Sequence, residues 1–179
     1  GDGLPVAGDH NGATSLNHDT TVNVALRAPA VVTTAAETLD GDTSSITALN
    51  ASKGADGFIS LREAIIAANN TAGADTITFN IAGTGVHTIS VASALPAITG
   101  TVTIDATTDD SFGVNGSRPA IILDGNNAFT GDGLVLSASA DGSTIRGLVI
   151  RDFSGDGIEI EAGADRNTSA GNYTGGWTQ

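Results

Sequence analysis

The pentapeptide Asp132-Gly133-Leu134-Val135-Leu136 returns 24 residues later as Asp156-Gly157-Ile158-Glu159-Ile160. Two further echoes share that offset: Ser143-Thr144-Ile145-Arg146-Gly147 against Asn167-Thr168-Ser169-Ala170-Gly171, and Ile121 against Ile145. A period in the low twenties, with short β-patterned segments and no helix between them, predicts a β-solenoid. Each turn of chain would stack about 4.8 Å above the last, its inward residues forming an aliphatic column. A β-sandwich with accidental similarity is the competing reading, but it would not be expected to keep one offset in two registers.

Composition agrees with a core of that kind. Hydrophobic residues make up 40% of the 179 positions and aromatics only 4%, so Ile, Val, Leu and Ala must fill the interior. Twenty-four glycines, with many Thr, Ser, Asn and Asp residues, favour strands broken by frequent turns. The net charge of −13 repels phosphate backbones and argues against nucleic acid as a partner. The absence of cysteine excludes disulfides and thiolate metal sites, but not export. The absence of methionine leaves no initiator, and the expectation is a processed or excised piece of a larger product. No apolar run approaches the roughly 18 residues of a membrane span, and no signal peptide stands at Gly1.

Along the chain, residues 1–19 are rich in Gly, Asp and Asn without any period and read as a flexible leader. In the following stretch Val22, Val24 and Leu26 alternate with Asn23, Ala25 and Arg27, a strand pattern that Pro29 interrupts. Ser60 is a good helix N-cap, and Glu63 completes a capping box. Leu61, Ala64, Ile65 and Ala68 then fall on one face, predicting a helix over 60–70, the one convincing helix in the sequence. Seven β segments follow: DTITFNIAG, VHTISVA, TVTIDAT, PAIILDG, DGLVLSA, STIRGLVIRDF and DGIEIEAG. A solenoid leaves uncovered ends, and the 60–70 helix sits just before the first turn, where a plug is needed.

The stretch DGFISLREAIIAANN, with DTITFNIAGTGVHTISVASALPAITGTVTID after it, resembles the CSLREA-type N-terminal cap of bacterial right-handed parallel β-helix proteins. Ile59 stands where that motif has its cysteine. The segment from PAIILDGN to EAGADRNT resembles the pectin-lyase-like β-helix repeat. Together the resemblances cover roughly residues 31–175. They imply an exported, adhesin-like and mostly structural bacterial surface module. One departure stands out: Ser169, Ala170 and Thr174 replace Ile145, Arg146 and Ile150 of the preceding turn, so the helix is expected to fray or to continue into a neighbouring molecule there.

Candidate chemistry is sparse. An EF-hand loop ending at Glu63 would place Ser52 and Gly54 where carboxylate or amide oxygens belong, and the capping box already claims Glu63. Stacked turns could instead align Asp132 with Asp156, one period apart. Asp109 and Asp110 are the other candidate pair, with calcium as the implied ion or no cofactor at all. Like charges at that spacing repel unless a cation or water intervenes. Asp109-Asp110 could serve general acid–base chemistry, but adjacent strand residues face opposite sides and no His-centred motif accompanies them. Arg146, Arg151 and Asp152 read as surface ion pairs.

The sequence thus predicts an all-β chain: a right-handed parallel β-helix of about four turns with one capping helix and an N-terminal arm. Its divisions are an arm over 1–30, a cap region over 31–75 and β-helix turns over 76–179. The expected role is non-catalytic, extracellular and bacterial: a self-associating appendage or filament subunit, or an adhesin segment. Assembly would proceed by strand addition through Val22, Val24 and Leu26, or by end-to-end stacking. Ser60, Leu61, Glu63 and Ile65 would hold the cap. The alternative is a carbohydrate-binding or carbohydrate-cleaving β-helix, which a groove lined by Tyr173 or Trp177 would favour.

Overall fold

The computed structural model of the chain describes residues 27–175. The leader and the strand expected over Val22–Leu26 lie outside that range, as does Trp177. Strand is the main regular structure, and every pairing among the described residues is parallel. Strands β1 (Ala30–Val32), β2 (Asp75–Phe79), β4 (Val102–Asp105), β7 (Thr144–Arg146) and β10 (Thr168–Ala170) form one sheet in that order. A second sheet runs β3 (His87–Ser90), β5 (Ile121–Asp124), β8 (Leu148–Arg151), β11 (Tyr173–Thr174). The third pairs β6 (Leu134–Leu136) with β9 (Ile158–Ile160), and Ile98 bridges to Leu136. The sheets are separate ladders interleaved with short helices.

Register sets like over like. In the first sheet Ala30 lies on Ile77, Ile77 on Ile104, and Ile104 on Ile145, all fully or almost fully buried. In the second, Ile89, Leu123 and Ile150 are neighbours on successive strands and equally buried. Burying one such branched side chain contributes about 1.5–3 kcal/mol. These columns, together with α1, α2 and apolar loop residues packed against them, form a core with few aromatics. They are legible in the strands as the period-two alternation of buried and half-buried positions.

Two of the 24-residue echoes coincide with observed pairings. Leu134 lies on Ile158, and Thr144, Ile145 and Arg146 lie on Thr168, Ser169 and Ala170. The third does not. Ile121 pairs with Leu148, and Ile145 lies on Ile104 instead. Loops of unequal length separate the earlier strands, so the constant offset holds only for the last passes of chain.

The expected helix is present as α2 (Leu61–Asn69), with Ser60 as N-cap and Asn70 as C-cap. It is not the only one, which corrects the sequence reading. Helix α1 (Ile46–Ala51), a 3-10 turn (Ala106–Thr108) and α3 (Asp110–Val114) accompany it. Each starts on a side-chain cap, from Ser45, Asp105 and Asp109 respectively. They are too short for a 3.6-residue hydrophobic period to show in the sequence.

Candidate functional site

The two ends of the strand ladders differ. At the β1 end, α1 and α2 cover the core: Leu49, Leu61 and Ile65 are at most 1% exposed. Thr33 N–H donates to the Ile59 carbonyl at 2.9 Å, and Ile59 N–H donates to Thr33 Oγ1. The Glu63 carboxylate, itself buried, organises this cap. Its Oε2 accepts from Ser60 N–H at 2.9 Å, and Oε1 accepts from the Asp40 and Gly41 amides at 2.8 and 2.7 Å. Ser60 Oγ accepts from Glu63 N–H, completing the capping box, and donates to the Thr38 carbonyl. Glu63 is therefore committed to backbone donors and does not face a calcium loop. Asp56 accepts instead from Phe58 N–H, as a turn residue.

At the other end β9, β10 and β11 are the outermost strands of their sheets, and the columns emerge. Ile158 is half-buried, Ile160 is 48% exposed, and Ser169 and Thr174 take the places of buried isoleucines. A ladder of acidic residues runs beside them. Asp132 Oδ1 accepts from Asp156 N–H at 2.6 Å, and Asp141 Oδ1 accepts from Asp165 N–H at 2.7 Å. Each aspartate thus binds the amide of its counterpart one period on. Asparagines tie the passes in the reverse sense: Ser143 N–H donates to Asn167 Oδ1, and Leu148 N–H to Asn172 Oδ1.

The repeated Asp-Gly pair is explained by this contact. Asp132 supplies the ladder acceptor, and Gly133 admits the next pass, since a Cβ there would stand 2.4 Å from the Gly157 carbonyl oxygen. The structure brings Asp132 and Asp156 together, as the period predicted, but joins them through carboxylate and amide. Glu159 adds to the group. A hydrogen bond with Asp132, the charge of Asp132, and the nearby Glu161 and Asp156 raise its carboxyl above the ordinary value.

Asp109 and Asp110 are not a working pair. Asp109 is buried and caps α3: its Oδ1 accepts from Ser111 N–H at 3.0 Å and its Oδ2 from Ile81 N–H at 2.9 Å. Asp110 is exposed on the first helical turn. The sequence placed no histidine beside them, whereas the fold brings His87 Nε2 to 3.9 Å from Asp109 Oδ1. Ser111 Oγ lies buried without a hydrogen-bond partner in the same region, and so does His87 Nε2. Ser111 is 0% exposed, so these three residue types do not present a nucleophile to any substrate. Their meeting could not be read from spacing, because it depends on β3 and the α3 turn coming together.

Arg146 and Arg151 form ion pairs, but across strands rather than along one turn; of the expected cluster, Asp152 lies 3.6 Å from Arg151 Nε. Arg146 binds Asp105 and Arg151 binds Asp124, each to its register partner on the next strand. Burial by itself would raise the Asp105 carboxyl, but hydrogen bonds from Arg146 and Thr107 and the Arg146 charge outweigh it and hold it below the ordinary range.

A surface cleft of about 310 Å³ lies over the second sheet, lined by Val86, Asn115, Arg118, Ile122, Val149 and Tyr173. Tyr173, Val149 and Ile122 are register neighbours and form its floor. Among the described residues no group of three or more His, Asp or Glu side chains is placed to hold a metal ion, and no helix is long and apolar enough to cross a membrane. No family model, curated protein or solved structure matches the chain.

Proposed function

We propose that the chain is a parallel β-helix, right-handed and closed at one end by α2, that serves as a non-catalytic structural module and associates with copies of itself. The observation that carries this reading is the contrast between the two ends. At one, α1 and α2 pack on β1 and Glu63 is saturated; at the other, no helix packs on β9, β10 or β11 among the described residues, and Ile160 and Tyr173 are exposed. The stacked Ile and Leu columns and the Asp ladder support the β-helix. The resemblance to the CSLREA-type cap and its β-helix repeat supports placement at a bacterial cell surface, as an adhesin segment or appendage subunit. Sedimentation velocity across a wide concentration range tests self-association. Species that grow with concentration are the expected result, and a single monomeric boundary throughout counts against it.

A second reading, carbohydrate binding, is favoured by one observation: Tyr173 floors a cleft whose rim carries Asn115 and Arg118. Aromatic rings with polar rims suit sugar faces. Binding to a panel of bacterial and host polysaccharides that is lost in Tyr173→Ala, with the fold retained, would support it.

A further inference from the structure

The outermost strand of the third sheet offers what a further strand needs. On the inner passes, Asp132 and Asp141 accept the amides of Asp156 and Asp165. Asp156 and Asp165 hold the same places one pass later, and no donor among the described residues reaches either carboxylate. The strand β9 carries two aliphatic residues in core register, Ile158 beneath Leu134 and Ile160 beneath Leu136. The other two outermost strands present Ser169 and Thr174 at their equivalent positions. An incoming strand therefore finds its apolar footing on β9.

Whole copies do not fit there. The β1 end of a second copy presents α1 and α2, which pack on β1 and stand in the way of a whole copy stacking there. Two outermost ends facing each other would bring Asp156, Glu159, Glu161 and Asp165 against themselves, which is repulsive. A single extended segment avoids both problems. Residues 20–26 alternate Thr20, Val22, Val24 and Leu26 with Thr21, Asn23 and Ala25. They precede Arg27, whose guanidinium bonds the Ala72 carbonyl and lies 3.8 Å from the Asp75 carboxylate. Seven extended residues reach about 23 Å beyond that anchor, far enough to meet a neighbour.

We propose that residues 20–26 of a neighbouring copy add to β9 as a parallel strand, with Val22 over Ile158, Asn23 over Glu159 and Val24 over Ile160. The proposal rests on the self-association reading above and names its joint. In this register the Thr20 amide meets Asp156 as the Asp156 amide meets Asp132. The Asn23 carboxamide donates to Glu159, the carboxyl group crowded by Asp132. A two-residue slip sets Ala25, which has no donor, over Glu159. A one-residue slip turns Asn23 toward the core. The joint links the arm of one copy to the far end of the next, so the contact is heterologous and propagates into chains.

The test uses the full chain, which has no cysteine of its own. Neighbouring parallel strands set paired Cα atoms about 4.8 Å apart, within disulfide reach. Asn23→Cys with Glu159→Cys is expected to give disulfide-linked multimers on mild oxidation. Ala25→Cys with Glu159→Cys is expected to give few. The variant Ile160→Lys is expected to lose concentration-dependent multimers while keeping its thermal unfolding midpoint, because that side chain is 48% exposed on the outer edge. Multimers that persist in the lysine variant, without the Asn23–Glu159 link, would overturn this joint and leave self-association standing. A link formed only within single chains would also overturn it. A wild-type chain that stays monomeric at every concentration would overturn both readings.

Discussion

At the residue scale, side-chain choices follow the contact between passes. Asp132 at the head of β6 accepts the Asp156 amide, Asp141 accepts the Asp165 amide, and Gly133 clears the neighbouring backbone. Gly133→Ala would drive a methyl group to 2.4 Å from the Gly157 oxygen and 2.7 Å from Ile150 Cγ2. Neither neighbour is a free side-chain end, so the variant is expected to lose about 1–3 kcal/mol, measured by urea unfolding. Asp105 gives a pH signature. Its native carboxyl lies below its unfolded value, so its contribution is present above the unfolded pKa and is lost as pH falls through the native one. Stability should decline below about pH 4, and Asp105→Asn should flatten that decline while costing about 1 kcal/mol at neutral pH, since Arg146 is half exposed. Equal acid sensitivity in both proteins would refute the assignment.

At the element scale, α2 is the best-defined part of the cap, and the sequence was enough to find it. Its capping box, its apolar face and its boundary are local, so spacing revealed them. What stayed hidden was the reach of Glu63 to Asp40 and Gly41, more than twenty residues away, and the short helices that depend on one side-chain cap each. The 24-residue period was legible for β6–β9 and β7–β10, where loops are equal in length. It misplaced Ile121, because the earlier passes carry loops of other lengths. The Asp109 environment was illegible for a different reason: His87 reaches it through tertiary packing, while Ser111 is its local partner in the α3 cap. The cap yields a graded prediction. Ser60→Ala should cost about 1 kcal/mol, and Glu63→Ala about 3–5 kcal/mol, since it strands the buried donors of Ser60, Asp40 and Gly41. Chemical denaturation reads both, and equal costs would show that Glu63 acts only as a local cap.

At the scale of the whole molecule, the ordering of the ends decides what assembly can look like. An end on which α1 and α2 pack and an end where Ile160 is exposed make the molecule polar. Polar units joined through an arm give open chains rather than closed pairs. The net charge of −13 over the full chain disfavours unspecific contact between copies, so the proposed joint requires a matched strand with its amide donors. Electron microscopy of the purified wild-type chain, in calcium and in chelator, tests this most directly. Elongated multimers or filaments are expected in both conditions, because the proposed joint uses backbone and aliphatic contacts and no cation. Compact single particles in both would contradict it.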